Sequence, residues 1–222
     1  MTLPNIEGAN HALIPLTRDM FAIVDNDPAL LDYLRQFKWQ ACYKSNNRSN
    51  YVAKRGGGVA GSGKTFYMHR EVLEFYGVNI DGLQVDHKNT MTLDNRKDNL
   101  RPATNQQNHG NKKVNRRNTS GMKGVNRTVR QSGERWHARI KSGEIYKYIG
   151  AFETLKEAAI AYNIEALKLH GEFAWLNIIE GDSIWTSHSP TDIRLPSDPN
   201  HPCFTVGRHM KSKTLESFKL SA

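Results

Sequence analysis

Residues 83–113 read LQVDHKNTMTLDNRKDNLRPATNQQNHGNKK, and this stretch decides how the first half of the chain is interpreted. Leu83–His87 alternates apolar and polar side chains, which predicts a strand, and a loop rich in Asn and Asp follows it. Leu100–Ala103 predicts a second short strand. Thr104 and Gln107 have the spacing of a helix capping box, so we expect a helix from Asn105 into the basic residues that follow. The predicted order is strand, loop, strand, helix.

Three side chains in this stretch suit hydrolytic chemistry. Asp86 and His87 are neighbours on a strand, so their side chains point to opposite faces. A histidine can take a proton from water near neutral pH, and carboxylate or amide oxygens suit a hard divalent ion. Asn108, on the predicted helix, can bring an amide oxygen to the same centre. The set is what the hydrolysis of a phosphodiester needs.

The phrases VDHKN, LDNRKDNLR and TNQQNHGNK resemble the ββα-metal (His-Me finger) motif of HNH endonucleases, in the subclass of phage and mobile-intron homing enzymes. The resemblance covers about residues 12–113, and residues 83–110 carry its specificity. It implies a DNA endonuclease that uses Mg²⁺ or Mn²⁺.

The resemblance also implies a role for each polar position. Asp86 would be a metal ligand and His87 the general base. Asn99 would be the middle Asn of the motif, bracing the loop and helping to orient His87. Asn108 would be the second metal ligand; His109 is the alternative for this position, and the phrase QQN favours Asn108. His69 and Arg70 are weaker candidates for contacts with DNA.

Residues 58–65, GVAGSGKT, satisfy the pattern of a phosphate-binding loop. That loop needs a buried apolar strand before it and a helix after it. Tyr51–Arg55 is half polar, and Thr65–His69 alternates like a strand, so we predict a hairpin connection and expect no nucleotide cofactor. After the hairpin we expect a helix at Arg70–Tyr76, and before it a helix at Pro28–Phe37 capped by Asp27.

The charge distribution points to an anionic partner. The chain has a formal net charge of +9 and a pI near 9.6. Residues 101–150 alone contain twelve Lys and Arg against two acids, so this segment exceeds the net charge of the whole chain. We expect double-stranded DNA to bind there.

Residues 120–177 predict a separate sheet and helix. Strands are expected at Lys123–Thr128, Arg135–Lys141 and Tyr146–Gly150, and a helix at Thr154–Leu169, with Ala158, Ala161, Tyr162, Ala166 and Leu169 on its packing face. The phrases SGMKGVNR, RWHARIK and IGAFETLKEAAIAYN resemble the DNA-binding domain of plant ethylene-response factors. That resemblance implies a three-stranded sheet lying in the major groove.

Strand alternation divides the second predicted strand into an apolar face and a cationic face. Trp136, Ala138 and Ile140 should pack on the helix, and His137 should lie on the opposite face with the cations. The predicted DNA contacts are, on the sheet, Arg127, Arg130, Arg135, Arg139, Lys141, Tyr146 and Tyr148, and, near the linker, Lys112, Lys113, Arg116 and Arg117.

The predicted fold class is α+β. A nuclease module (1–113) is followed by a basic linker (114–119), a sheet-and-helix DNA-binding domain (120–177) and an irregular tail (178–222). Two distant cysteines, Cys42 and Cys203, argue against a disulfide framework, and the sequence shows neither a signal peptide nor a membrane span. We expect a soluble intracellular monomer or homodimer, in bacterial or host cytoplasm if phage-encoded.

The predicted function is a homing-type DNA endonuclease, with cutting before about residue 113 and sequence reading after about residue 120. The alternative is a DNA-binding transcriptional regulator whose HNH module is inactive. The sequence leaves open the target site and whether one strand or both are cut.

Overall fold

The computed structural model describes residues 10–43, 50–57, 63–131 and 133–192. The chain divides into two compact units, residues 1–108 and 109–222. In chain order the elements up to the boundary are β1 (His11–Pro15), β2 (Phe21–Asp25), α1 (Pro28–Arg35), β3 (Gln40–Tyr43), β4 (Tyr51–Gly57), β5 (Lys64–Tyr67), α2 (Met68–Phe75), β6 (Gln84–His87), β7 (Leu100–Ala103) and α3 (Asn105–Gly110), which contains the boundary. The strands of the first unit form two short antiparallel pairs, β1–β2 and β6–β7, and a three-stranded sheet in the order β3–β4–β5.

The first helix is capped as its sequence predicts. The carboxylate of Asp27 accepts hydrogen bonds from the backbone N–H groups of Ala29 and Leu30, and Pro28 occupies the first turn. Leu30 and Leu34 then turn inward, beside the buried Trp39. The helix ends at Arg35, two residues before the predicted end at Phe37.

The hairpin β4–β5 is present, but its second strand is shorter than expected. β5 ends at Tyr67, and α2 begins at Met68, so His69 lies in the first turn of a helix and not at the end of a strand. Met68 and Val72 are fully buried in the core of this unit, which favours helical over extended backbone there. Residues 58–62 of the Gly-rich pattern lie outside the described residues; a strand, and not a helix, follows them.

β6, β7 and α3 follow the predicted order. The predicted capping box is present: Gln107 N–H donates to Thr104 Oγ1, and Thr104 N–H donates to Gln107 Oε1. The helix ends at Gly110 and does not continue into the basic residues, which is a correction to the sequence-based expectation. Gly110 is packed against the ring of His170 and the carbonyl of Phe173, so the chain turns away here to meet other residues of the second unit.

The described residues of the second unit form three strands and a long helix, β8 (Val125–Arg130), β9 (Gly133–Ser142), β10 (Ile145–Phe152) and α4 (Leu155–His170). The strands make an antiparallel sheet in the order β10–β9–β8. Thr154 forms a capping box with Glu157 at the start of α4. Ala138 and Ile140 pack on α4, as the alternation predicts, and Val125 of β8 joins them, while Trp136 is only partly buried at the edge of this core.

Helix α4 is covered on more than one side. Nine consecutive residues, Ala158–Ala166, are buried, including positions that face away from the sheet. Ile179, Ile184 and Trp185 join the same core, and Trp185 is fully buried. Residues 178–192, which contain no strand and only one short 3-10 turn at Pro190–Asp192, therefore contribute side chains to the core around α4.

Two buried amides connect these layers. Asn163 of α4 accepts a hydrogen bond from the N–H of Asn177 at 2.7 Å and donates to its carbonyl at 2.8 Å. Asn177 in turn accepts from the N–H of Lys123 and donates to the carbonyl of Lys123. These bonds satisfy buried backbone groups just before β8 and hold the end of the domain against its beginning. Within the described ranges, no helix is long and apolar enough to cross a membrane.

Candidate functional site

The pairing of β6 with β7 places Asp86 and His87 among the buried residues of the first unit. Asp86 lies opposite Arg101, and His87 lies opposite Leu100. The two side chains leave opposite faces of the strand, and each residue is about 4% exposed. The chemistry available to each of these two side chains depends on the groups that surround it.

Asp86 is held by an arginine that the sequence analysis did not single out. Arg101 donates from Nε at 2.9 Å and from Nη2 at 2.8 Å, and both bonds reach Oδ2 of Asp86. Both residues are buried, so the guanidinium compensates a carboxylate that would otherwise be expensive to bury. Arg101 lies within the second predicted strand, but only the register of the β6–β7 pair places it opposite Asp86.

His87 contacts two residues that come from different elements. Its Nε2 lies 3.2 Å from Oδ1 of Asn95, and its ring meets the ring of His69 edge-on at 5.3 Å between centroids. The ring of Tyr67 stacks on His69 at 5.5 Å, and Tyr67 is 37% exposed. Three rings thus run from the surface to the buried His87. Sequence reasoning did not identify Asn95, because it lies in a loop without periodicity.

Asn99 connects the two ends of the loop between β6 and β7. Its side chain accepts from the N–H of Asn89 at 3.0 Å and donates to the carbonyl of Asp94 at 2.7 Å. Its backbone carbonyl accepts from Lys88, the residue after His87. The hydrogen bonds of Asn99 therefore all reach the backbone of this loop, whereas the side chain that contacts the imidazole of His87 belongs to Asn95.

A buried carboxylate also stabilises this loop. Arg96 donates to both oxygens of Asp94, at 2.8 and 2.7 Å, and Asn89 donates to Oδ2 at 2.8 Å. Burial alone would raise the pKa of Asp94, but the bonds from Arg96 and Asn89 outweigh it and hold the pKa below its usual value. The loop that carries Asn95 and Asn99 is thus fixed by an ionised group.

Asn108 lies on the same side of β6 as Asp86. Its Nδ2 donates to Oε1 of Gln84, and Gln84 precedes Asp86 by two residues on the strand, so both project from one face. Asn108 is half-buried, whereas the neighbouring His109 is exposed. The arrangement places an amide and a buried carboxylate on one face of β6.

These donors are of the type that a hard divalent ion takes. Mg²⁺ is commonly held by one or two carboxylates, with water and substrate phosphates completing its coordination. Asp86 offers one carboxylate and Asn108 an amide, and Arg101 shares the carboxylate. The residues present therefore fit a divalent ion. Among the described residues no group of three or more His, Cys, Asp or Glu is placed to hold a metal.

The second unit presents a cationic face on its sheet. The register aligns Tyr146 with Lys141 and Tyr148 with Arg139, and it places Arg130 on the same side. The members of this cationic face are Arg130, Arg135, His137, Arg139, Lys141, Tyr146 and Tyr148; His137 is half-buried and the others are exposed. Two bonds order it: Arg139 donates to the Tyr146 hydroxyl at 3.3 Å, and His137 Nδ1 lies 2.9 Å from the Tyr148 hydroxyl.

Arg127 does not extend this face, contrary to the sequence-based expectation. It pairs with Trp136, and paired residues of antiparallel strands share a side, so Arg127 lies on the side of the sheet that faces α4. There it forms an ion pair with Glu134 at 2.5 Å, and its guanidinium lies 5.9 Å from the centroid of the Trp136 ring. β8 begins at Val125, two residues after the predicted start at Lys123, and alternation along β8 alone does not fix which of its sides continues the cationic side of β9.

The remaining predicted cations lie between α3 and β8. Lys112, Lys113, Arg116 and Arg117 are all exposed, on backbone without helix or strand. Lys113 lies 5.7 Å from the centroid of the Trp175 ring. These side chains are accessible to a phosphate backbone, but no regular element fixes their spacing.

Comparison with known proteins matches part of the chain to a protein family. No curated protein and no solved structure matches the chain. The mixed α and β elements and small sheets of the first unit are compatible with an HNH module, and Asp86, His87, Asn99 and Asn108 all fall inside the matched segment. Residues 66–109 match the family model described as HNH endonuclease, and this match supports an HNH module and suggests nuclease activity in that part of the chain.

Proposed function

We propose that this protein is a divalent-metal-dependent DNA endonuclease of the homing type, whose C-terminal sheet reads the target sequence. The observation that carries the proposal is the buried pair Asp86 and His87, with Asn108 on the side of Asp86, inside the segment that matches HNH endonucleases. The substrate is double-stranded DNA.

In the proposed reaction His87 accepts a proton from a water molecule as the water oxygen bonds to the phosphorus. The bond from phosphorus to the 3′-oxygen breaks, and that oxygen leaves and takes up a proton from solvent. The products are a 5′-phosphate and a 3′-hydroxyl. A Mg²⁺ or Mn²⁺ ion, held by Asp86 and Asn108, would supply positive charge to the phosphate and the leaving oxygen.

In the proposed function, the cationic face selects the DNA site that is cut. Exposed Arg and Lys side chains neutralise phosphates, and arginine can also bind guanine in the major groove. The ordered pairs Arg139–Tyr146 and His137–Tyr148 present donors and acceptors at fixed spacing, which is what the reading of base edges requires.

A second candidate function is a DNA-binding regulator whose HNH module is inactive. The ion pair of Asp86 with Arg101 favours it, because a guanidinium already occupies the carboxylate that would bind the metal. The proposed catalytic residues and the cationic face would then serve binding and stability only.

Plasmid cleavage separates the two functions. Supercoiled plasmid is incubated with the protein and Mg²⁺ or Mn²⁺, and with EDTA as the control. The endonuclease gives nicked or linear product that depends on the metal, and His87→Ala loses cleavage while a gel-shift assay shows unchanged binding. A shift without cleavage under every metal condition supports the regulator, and cleavage by His87→Ala at the wild-type rate refutes the proposed base.

A further inference from the structure

Asn95 is a buried amide between His87 and the rest of the first unit. It is about 1% exposed. Its Nδ2 donates to the carbonyl of Leu93 at 3.4 Å and to Sδ of Met68 at 3.5 Å, while its Oδ1 lies 3.2 Å from Nε2 of His87. Its backbone N–H donates to the carbonyl of Ile23 on β2 at 2.7 Å. Backbone and side chain are thus fixed by two elements outside the β6–β7 pair, β2 and α2.

These partners determine which way the amide points. The carbonyl of Leu93 is only an acceptor, so the amide nitrogen must face it. Rotating the amide by half a turn would place two acceptor oxygens against each other. Oδ1 of Asn95 therefore faces His87, and an oxygen at this position requires a hydrogen on Nε2. In a neutral imidazole with its hydrogen on Nε2, the lone pair is on Nδ1.

We propose that Asn95 is a positioning residue that holds His87 in the tautomer whose Nδ1 accepts the proton of the attacking water. This proposal rests on the endonuclease function proposed above. Asn95 is too deeply buried to contact DNA, so its effect passes through the imidazole. In the other tautomer two lone pairs would face each other at 3.2 Å, which disfavours that form by about tenfold or more.

The experiment measures directly which ring nitrogen of His87 carries the hydrogen. The metal-free full chain is labelled with ¹⁵N-histidine, and the ring nitrogens are observed by NMR at a pH where His87 is neutral. The signals of His87 are assigned by their loss in His87→Gln. The wild type is expected to show the hydrogen on Nε2. A wild-type hydrogen on Nδ1 overturns the proposal whether or not the protein cleaves DNA.

Two variants at the position separate hydrogen bonding from packing. Asn95→Leu keeps the volume but removes the acceptor, so His87 should populate both tautomers, and single-turnover cleavage should fall roughly 10- to 100-fold. Asn95→Asp keeps an acceptor oxygen beside Nε2, so it should retain the wild-type tautomer and more of the rate than Asn95→Leu. If Asn95→Leu leaves the tautomer and the rate unchanged, Asn95 does not position His87.

Val24→Ala is the control for stability. Val24 is fully buried in the core of the same unit, so its truncation destabilises the unit by a cavity. Below its melting temperature Val24→Ala should keep the wild-type tautomer and rate. If it slows cleavage as much as Asn95→Leu, the effect of Asn95 is structural only. If the wild type does not cleave at all, the proposed function fails, and the tautomer measurement still decides whether Asn95 holds His87.

Discussion

Arg101 donates two hydrogen bonds to a single carboxylate oxygen of Asp86, from the position directly across the β6–β7 pair. The residue proposed to bind a metal is thus compensated by a charge of the chain itself. A buried ion pair of this kind contributes little net stability, but removing one partner leaves an uncompensated charge in the interior. A divalent ion that binds at Asp86, as proposed, would therefore compete with this guanidinium.

Replacing Arg101 with Met should destabilise the first unit and make its stability depend on metal. Breaking a buried ion pair costs about 3–5 kcal/mol in the free energy of unfolding. Mg²⁺ at Asp86 can then compensate the carboxylate, so the midpoint of urea unfolding should rise with Mg²⁺ concentration more in Arg101→Met than in the wild type. Tryptophan fluorescence measures both midpoints.

The double variant Asp86→Asn, Arg101→Met is the control for this effect. It removes the uncompensated charge together with its partner, so it should recover part of the lost stability and lose the response to Mg²⁺. An equal response to Mg²⁺ in the single and double variants would show that the ion binds elsewhere.

Gly124 should tolerate no side chain, and Gly121 gives a matched comparison. Both glycines have a positive φ, +73° and +74°, so alanine is strained at either position. At Gly124 an added Cβ would also lie 2.2 Å from the ring of Tyr162 and 2.5 Å from the carbonyl of Arg139, whereas nothing lies within 4 Å at Gly121. We expect Gly124→Ala to cost at least about 2 kcal/mol and Gly121→Ala about 1 kcal/mol. Thermal unfolding followed by calorimetry measures the difference, and equal losses would contradict the close packing.

The second unit should lose stability as the pH falls from about 6.5 to about 4. Burial, and secondarily the charge of Lys123, lowers the pKa of His170 to about 4. Between these pH values the unfolded chain binds a proton at His170 and the folded chain does not, so acid favours unfolding. The loss is up to about 2 kcal/mol, since the half-buried ring is partly screened by solvent.

His170→Gln should flatten this pH dependence. Urea midpoints at pH 4, 5, 6 and 7 measure the slope for each variant. His109→Gln serves as the comparison, because its side chain is exposed in the same unit and should leave the slope unchanged. A wild-type slope in His170→Gln would assign the pH dependence to other groups.

The two sides of the second sheet should differ in DNA binding. Arg139 lies on the cationic face and Arg127 on the side toward α4, although both are exposed. In a His87→Ala background, Arg139→Ala should weaken DNA binding by roughly tenfold. It should also reduce the slope of the logarithm of the binding constant against the logarithm of the salt concentration by about one. Arg127→Ala should change neither. Fluorescence anisotropy with labelled duplex at several salt concentrations measures both, and equal losses would contradict the assignment of the faces.

Much of the local structure follows from short patterns in the sequence. Asp27 with Pro28, Thr104 with Gln107, and Thr154 with Glu157 start the helices α1, α3 and α4, because a capping side chain acts only on the neighbouring backbone. Where local patterns compete with packing, packing prevails. Met68 and His69 alternate like a strand, yet they begin α2, because Met68 fills the core of the first unit.

Local sequence patterns also do not predict that residues after 177 contribute to the core of the second unit. Ile179, Ile184 and Trp185 occur in a segment without periodicity, and only the burial of α4 on a second side reveals why they are apolar. The face of Arg127 depends on the register between β8 and β9, which alternation along a single strand leaves undetermined.

The sequence by itself determined the order strand, loop, strand, helix around Asp86 and His87, the basic character of residues 101–150, and the division of β9 into an apolar and a cationic face. Each of these depends on neighbours within a few positions of the chain. Only the tertiary structure decided that Arg101 holds Asp86, that Asn95 holds His87, and that residues 178–192 complete the second core. These contacts join residues by side-chain geometry across strands, loops and helices, and such geometry exists only once the chain has folded.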